Sequence, residues 1–502
     1  MNAVDDDFLA LPLQAAADAA LAVAQAAGAR HADVRVHRLR TGTTTLRDGA
    51  LQSAVDTTDC GVAVRVLLDG TWGFASHPVP GPDGAADAAT RAVAVARTLR
   101  ALNRDPVQWA DEPVHRDAVW VSPYEIDPFT VPAAERIAVL EDYSRRLLDA
   151  GVDHVTAQLM QVKEQSFYAD LAGSTITQQR VRIQPELDAT RVDREAGTFE
   201  SMRTLAAPTG RGWEYVAGDR WWDWTGELDR LPDQLAEKAQ APSVVAGRTD
   251  LVIDPTNLWL TIHESVGHAT EYDRAIGYEA AYAGTSFATP DLLGTLRYGS
   301  ELMQVTADRT EPHGLASVGF DDDGVAAQRW DLVRDGRLVG YQLDRAFAPK
   351  LGVARSNGCA YADSAHHVPI QRMANVSLQP DPVVDRSTAD LIAGVDDGLY
   401  IVGDRSWSID MQRHNFQFTG QRFYRIRGGR LAGQVRDVAY QASTTEFWGA
   451  LEAVGGISTW QLGGAMNCGK AQPGQVAAVS HGCPAVLVRG VNVLNTVQEG
   501  GR

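Results

Sequence analysis

A glutamate directly after a histidine, with a second histidine about one turn further on, lets a helix grip a metal ion and keep a base beside it. The segment His263-Glu264-Ser265-Val266-Gly267-His268 has this form. Its imidazoles would hold the metal, and Glu264 would act as general base on metal-bound water, whose pKa falls to about 7 on zinc. The two histidines stand five residues apart. At about 100° per residue, five positions of a regular α-helix rotate a side chain through roughly 140°, which would splay the imidazoles. The spacing therefore predicts a local departure: either an extra residue absorbed in a π-bulge or a helix that breaks at Gly267. Without such a departure the segment reads as an amphipathic helix with surface histidines.

Catalytic zinc sites use three protein ligands plus water, so two histidines leave the set incomplete. Glu271 and Asp273 are near in sequence and could serve. Cys468 could also serve, in the glycine-flanked stretch Asn467-Cys468-Gly469-Lys470, because a thiolate binds zinc well and a glycine lets backbone approach closely. Cys60, Cys359 and Cys483 read as inert thiols. His366 and His367 are adjacent, and on a strand they would point to opposite faces. The stretch Ser480 to Cys483 places a serine beside a histidine, but sequence neighbours seldom assemble a nucleophile and its base.

The elements that must carry these groups are legible in outline. An alanine-rich helix over Leu13–Ala27 ends at Gly28, the residue that most often stops a helix. Val62 to Phe74 holds two apolar stretches about Asp69-Gly70, a hairpin signal, and a helix over Ala85–Leu99 follows. A proline-containing stretch from Asp105 to Pro132 suggests a boundary. A helix over Pro132–Ala150 has proline at its start and Gly151 after its end. Strands are expected from Val155 to Arg203, with turns at Ala172-Gly173 and at Glu195-Ala196-Gly197. Trp221, Trp222 and Trp224 read as packing between sections. A helix over Leu228–Ala241 leads to a strand at Thr249–Ile253, and Asp254-Pro255-Thr256 opens the metal-bearing helix with Thr256 as its N-cap. The rest alternates strands with glycine turns. The fold class is therefore α+β: an N-terminal α/β domain (1–110), a mixed central domain (111–246) and a largely antiparallel C-terminal β domain (247–502) that carries the metal-binding helix.

Bulk properties narrow the function classes. The chain has 502 residues, 44% of them hydrophobic, and a formal net charge of −18. Such a surface repels phosphate, which argues against nucleic acid and anionic membranes as partners. No stretch of about 18 uninterrupted apolar residues is present. Four cysteines are too few for a disulfide framework in a chain of this length, so a reducing cytoplasm is the expected home.

These residues together resemble the TldD/PmbA metallopeptidases, on the TldD side. The likeness is carried by the H-E-x-x-x-H segment at His263–His268, by Asp344-Arg345, by the stretch Pro369-Ile370-Gln371-Arg372-Met373-Ala374-Asn375 and by Cys468-Gly469-Lys470. The chain differs from common members at Gly358-Cys359-Ala360-Tyr361, where arginines are expected. The resemblance implies Zn2+ held by His263, His268 and Cys468, with Glu264 as general base. It implies peptidase action on unfolded or small peptides, in a cytoplasmic heterodimer with a TldE/PmbA-like subunit that lacks the metal motif. An extended peptide would add to a strand edge, with Pro369–Asn375 a possible edge and Arg372 and Asn375 as substrate-binding residues. The competing expectation is a non-catalytic scaffolding or regulatory subunit of a peptidase complex. Intact His263, Glu264, His268 and Cys468 weigh against it.

Overall fold

Two Asp-Gly turns, at Asp48-Gly49 and Asp69-Gly70, fold the chain back on itself as hairpin turns of this composition do. They join β1 (His31–Arg47), β2 (Ala50–Leu68) and β3 (Thr71–His77). With β4 (Ala118–Val121), β5 (His154–Asp170), β6 (Thr175–Asp193) and β7 (Thr198–Arg203), they form one seven-stranded sheet in the order β3-β2-β1-β5-β6-β4, with β7 also on β6. The computed structural model describes residues 3–195 and 197–499. Ala196, in the turn expected at 195–197, lies outside them.

Helices Leu13–Ala26 and Pro82–Leu99 lay alanine faces on one end of this sheet and close a core with Val34, Val64 and Val66. By length and composition alone Asp6–Ala26 could cross a membrane, yet Ala16, Ala17, Ala20 and Ala24 of that stretch are buried in this core. Helices Ala133–Asp149 and Trp224–Gln240 close a second core over the other end, with Leu140, Leu187 and Trp224. The sheet thus runs continuously across residue 110, where the sequence suggests a boundary, and the two sections differ in their cores instead.

The C-terminal half begins with β8 (Gly247–Ile253). Then come β9 (Val305–Asp308), β10 (Arg329–Arg334), β11 (Arg337–Leu338), β12 (Ala360–Tyr361), β13 (Ile370–Gln371) and β14 (Asn375–Leu378). The chain ends with β15 (Asp397–Ile409), β16 (Asn415–Arg427), β17 (Arg430–Val435), β18 (Val438–Ser443), β19 (Leu451–Val454), β20 (Gln461–Lys470), β21 (Gln475–Cys483) and β22 (Val486–Asn495). A second seven-stranded sheet runs β15-β8-β22-β18-β16-β17, with β19 on β22. Only its β8–β15 pairing is parallel, so the fold is α+β with an antiparallel C-terminal half. A four-stranded sheet, β11-β10-β9-β14, and the β20–β21 hairpin flank the metal-motif helix.

That helix spans Pro255–Ile262. Its N-cap is Asp254, whose carboxylate accepts from the Thr256 amide at 3.1 Å, so the cap falls two residues before the expected Thr256. Proline at the first helical position needs no amide partner. The two halves of the molecule meet through buried ion pairs. Arg65 bridges Asp33 and Asp323, and Arg35 pairs with Asp322 at 2.5 Å.

Candidate metal centre

The five-residue spacing of the histidines is resolved by a π-turn. After Ile262 the backbone widens over His263–Gly267, and the His268 amide donates to the His263 carbonyl five residues back. The two imidazoles therefore lie one wide turn apart with ring centroids at 4.6 Å. A π-turn loosens the backbone ladder, and here side chains hold it in place. Ser265 Oγ donates to the Thr261 carbonyl at 2.6 Å, and Thr270 Oγ1 donates to the Val266 carbonyl at 2.8 Å. Gln342 Nε2 donates to the Gly267 carbonyl at 2.7 Å, and the Tyr298 hydroxyl donates to the Ser265 carbonyl.

Cys468 reaches this turn from β20. Its Sγ lies 3.6 Å from His268 Nε2, across 200 residues of sequence. The ligand atoms of His263, His268 and Cys468 all lie within 4.8 Å of one another, and all three residues are buried. Zinc–nitrogen and zinc–sulfur bonds of about 2.1 and 2.3 Å at a tetrahedral angle place their two donors ~3.6 Å apart, so the sulfur and imidazole spacing fits that ion.

Partners behind each imidazole decide which nitrogen faces the centre. His268 Nδ1 lies 2.8 Å from Glu271 Oε2. A carboxylate only accepts, so Nδ1 carries the proton and Nε2 keeps its lone pair. His263 is set through a second ring. His481 Nδ1 donates to the Val376 carbonyl at 2.8 Å, which leaves its Nε2 as acceptor. That nitrogen receives His263 Nδ1–H at 2.7 Å, freeing His263 Nε2. Burial pushes the pKa of His263, His268 and His481 down, and His481 furthest, which favours the neutral rings that metal ligation requires. Burial alone would raise the Cys468 thiol, but His268 and Arg372 beside it outweigh this and hold it below its ordinary value.

Glu271 is anchored in turn. Lys470, fully buried two residues after Cys468, donates to Glu271 Oε1 at 3.1 Å and to Asp273 Oδ1 at 2.8 Å. Burial opposes ionisation of Glu271, yet Lys470 and His268 keep its carboxyl well below the usual range. Glu271 and Asp273 thus stand behind the ligands, committed to His268 and Lys470. Glu264 projects from the π-turn and accepts from Arg413 Nη1 at 2.6 Å.

Other expected site residues fall elsewhere. Arg372 and Asn375, expected against substrate, are only 1% and 0% exposed. Arg372 donates to the backbone carbonyls of Cys468 at 2.5 Å and Gln475 at 3.1 Å, so it braces the β20–β21 hairpin. Asn375 donates to the Asp308 carbonyl and accepts from the amides of Ala316 and Ser480. Nor is β14 an open edge for a peptide. Its Val376 carbonyl and Ser377 hydroxyl are taken by His481 and by the Gly482 amide of β21. Arg345 braces the joint between the halves, donating to the Ala110 carbonyl at 2.8 Å and stacking on Trp109. His366 and His367 lie apart from the donor group, bonded to Ser76 and Asp363. Burial raises the Cys359 thiol to about 12 and the Cys483 thiol well above its usual value. Both nitrogens of His481 are taken, by the Val376 carbonyl and by His263, so no Ser480–His481 pair forms, and Ser480 Oγ accepts the Leu315 amide instead. His481, Lys470 and Arg413 had no spacing signal, because each meets the site only through tertiary contact.

A cleft of about 1280 Å³ lies beside β20 and the start of the metal-motif helix, and none of His263, Glu264, His268 or Cys468 lines it. It is lined by β20 from Gln461 to Asn467 and by Trp259, Trp221, Trp222 and Arg211. Trp259 stacks on His481 with centroids at 6.2 Å. Gly463 admits that indole, since a Cβ there would come within 2.5 Å of it. Among the described residues β20 pairs with no strand other than β21. Trp224, by contrast, is packing: it stacks on Tyr143 at 5.4 Å.

Comparison with known proteins identifies the family and the fold. Residues 246–495 match the family model for the PmbA/TldA metallopeptidase C-terminal domain, and residues 32–96 match the model for PmbA/TldA metallopeptidase domain 1. A metalloprotease of Methanothermobacter thermautotrophicus is 29% identical over 470 residues, covering 93% of this chain and 96% of its own. A zinc metalloprotease TldD homolog of Saccharolobus solfataricus is 24% identical over 267 residues, 53% of this chain and 56% of its own. The crystal structure of TldE from Thermococcus kodakarensis shares the fold, with a TM-score of 0.69 at 15% identity over 94% of this chain and 98% of that one.

Proposed function

The chain belongs to the PmbA/TldA metallopeptidase family, and on that premise we propose that it is a zinc-dependent peptidase acting on unfolded or small peptides. His263, His268 and Cys468 hold the ion, and Glu264 is the general base. The observation that carries this reading is the meeting of Cys468 Sγ with His268 Nε2 at 3.6 Å, at a turn whose every imidazole is already presented by a fixed partner. A surface helix with incidental histidines would need neither the distant thiol nor the buried supports.

Bound zinc supplies Lewis-acid polarisation of a carbonyl and lowers the pKa of water to about 7. Glu271 and His481 orient the two imidazoles, and Lys470 holds Glu271 in place. Glu264 takes a proton from the attacking water and returns one to the leaving amine. An extended peptide lies in the cleft and pairs with β20 along Gln461 to Asn467, on the edge away from β21. Main-chain hydrogen bonds then give affinity with little selection among side chains, which suits unfolded or short substrates. The enzyme works in the cytoplasm, where its thiols stay reduced, in a heterodimer with a TldE/PmbA-like subunit lacking the metal motif.

The test combines metal analysis with cleavage of a mixed peptide library by the protein purified with any companion subunit. Wild type is expected to bind about one zinc ion per chain and to cleave peptides in a chelator-sensitive way. Glu264→Gln should keep its zinc and lose nearly all turnover, and Cys468→Ala should lose the zinc. Undiminished cleavage by Glu264→Gln removes Glu264 as base. Full zinc in Cys468→Ala places the third ligand elsewhere. A zinc-loaded wild type that cleaves nothing would favour a scaffolding subunit.

A further inference from the structure

Among the described residues Arg413 is the cation paired with Glu264, and its setting is costly. It occupies the turn between β15 and β16 with a left-handed backbone, φ 63°, which a residue of this size avoids unless the surroundings impose it. The surroundings do impose it. Asp410 accepts the amides of Gln412 and His414 at 3.1 and 2.8 Å, and Thr444 Oγ1 donates to the Arg413 carbonyl at 2.8 Å. From the other side the segment 283–287 clamps the turn: the amides of Thr285 and Phe287 donate to the carbonyls of Met411 at 2.7 Å and Gln412 at 2.9 Å. Gly284 is required there, at φ 88°, because a Cβ would lie 2.0 Å from the Met411 carbonyl oxygen. The outcome is a guanidinium bonded to Glu264 Oε2 at 2.6 Å, with its own Nε buried and without a hydrogen-bond partner.

The guanidinium also donates to the Ala283 carbonyl at 3.5 Å, but few structural roles explain a strained turn that delivers a cation to a carboxylate beside the metal donors. We propose that Arg413 is a positioning residue for Glu264: it occupies Oε2, holds the carboxylate in one orientation, and leaves Oε1 to meet the attacking water. The inference rests on the peptidase reading above and adds a residue to it. It also has an electrostatic consequence independent of turnover. Arg413 and Glu264 together present little net charge to a divalent ion at the neighbouring histidines, whereas Glu264 alone presents a buried anion.

The experiment uses the full chain with its companion subunit and reads two quantities. The first is zinc affinity by chelator competition. Arg413→Ala is expected to bind zinc more tightly than wild type, by about tenfold, and the double variant Glu264→Gln/Arg413→Ala should return to near the wild-type value. A residue that merely braced the turn would loosen zinc on removal. The second is peptide cleavage. Arg413→Ala should lose kcat by about 100-fold with KM little changed, Arg413→Lys should recover part of it, and millimolar guanidinium should partly rescue the alanine variant. Adding Arg413→Ala to Glu264→Gln should cost nothing further, since both act through one group. Unchanged or weaker zinc binding in Arg413→Ala overturns the proposal even if no peptide is cleaved, and so does full kcat in that variant. An inactive Glu264→Gln beside a fully active Arg413→Ala would sink this inference alone and leave the peptidase reading standing.

Discussion

Around Asp33 and around Glu271 the protein buries carboxylates against cations, and the two clusters do different work. In the first, Arg65 is shared between Asp33 and Asp323, and Arg35 holds Asp322, which ties the N-terminal sheet to the C-terminal half. Trp72 and Trp109 cover the Arg65 guanidinium. Nothing in that cluster touches a metal donor. In the second, Lys470 is shared between Glu271 and Asp273, and Glu271 passes the constraint to His268. Burying ions is unfavourable unless every charge is paired. The first cluster meets that cost to join two halves. The second meets it to fix which nitrogen of an imidazole faces Cys468. Similar chemistry is structural in one place and orienting in the other, and only the group at the end of the chain of bonds tells them apart.

That contrast can be broken from either side. Lys470→Ala should have the largest effect, because it strands two buried carboxylates and releases the support of His268. We expect about 3–5 kcal/mol less stability in chemical denaturation, together with zinc binding weaker by roughly 10–100-fold. Arg65→Ala should lose a similar ~3–5 kcal/mol while zinc binding to the folded protein stays at the wild-type level. If Arg65→Ala also weakened zinc, the two clusters would be one coupled network.

A smaller change isolates orientation from charge. His481→Gln removes the ring that fixes His263 without stranding an ion, and it should weaken zinc by about 10-fold or more with little loss of fold. Equal zinc affinity in that variant would mean His263 needs no support from His481.

The last change concerns only the dependence on pH. Burial, with Asp323 nearby, raises the carboxyl of Asp344 from 3.8 to about 8. A carboxyl whose folded pKa lies above its unfolded value binds its proton more tightly when folded. The stability it contributes is full below pH 3.8 and is lost as pH rises through about 8. Asp344→Asn should therefore flatten the decline of stability between those values, by at most ~1.4 kcal/mol per pH unit. An unaltered slope in urea titrations at several pH values would show that Asp344 is ionised throughout.

Legibility in the sequence followed the range of the interactions. Helix Pro82–Leu99 and the Asp69-Gly70 hairpin appear almost where periodicity and turn residues place them, because both are decided by neighbours a few residues away. The helix over Trp224–Gln240 begins four residues before the expected Leu228, since Asp223 caps it by accepting the Gly226 amide and Trp224 finds its packing inside the core. At the site, His263, Glu264 and His268 were legible as a local pattern, and their spacing already demanded either a π-turn or a break. Arg372 and Asn375 were read as substrate-binding because they lie in the stretch Pro369–Asn375 that carries the resemblance and could form an edge, yet their side chains are spent on backbone groups of other strands.

By itself, then, the sequence determined the helix that carries two imidazoles and a carboxylate, and the strain its five-residue spacing must place on that helix. Tertiary structure alone decided that the strain is relieved by widening the turn, that the sulfur from β20 arrives 3.6 Å from His268, and that His481, Lys470 and Arg413 stand behind the site. The reason is physical: helix and hairpin signals are written in contacts within a turn or two, whereas a metal geometry depends on groups some 200 residues apart whose separation no local pattern records.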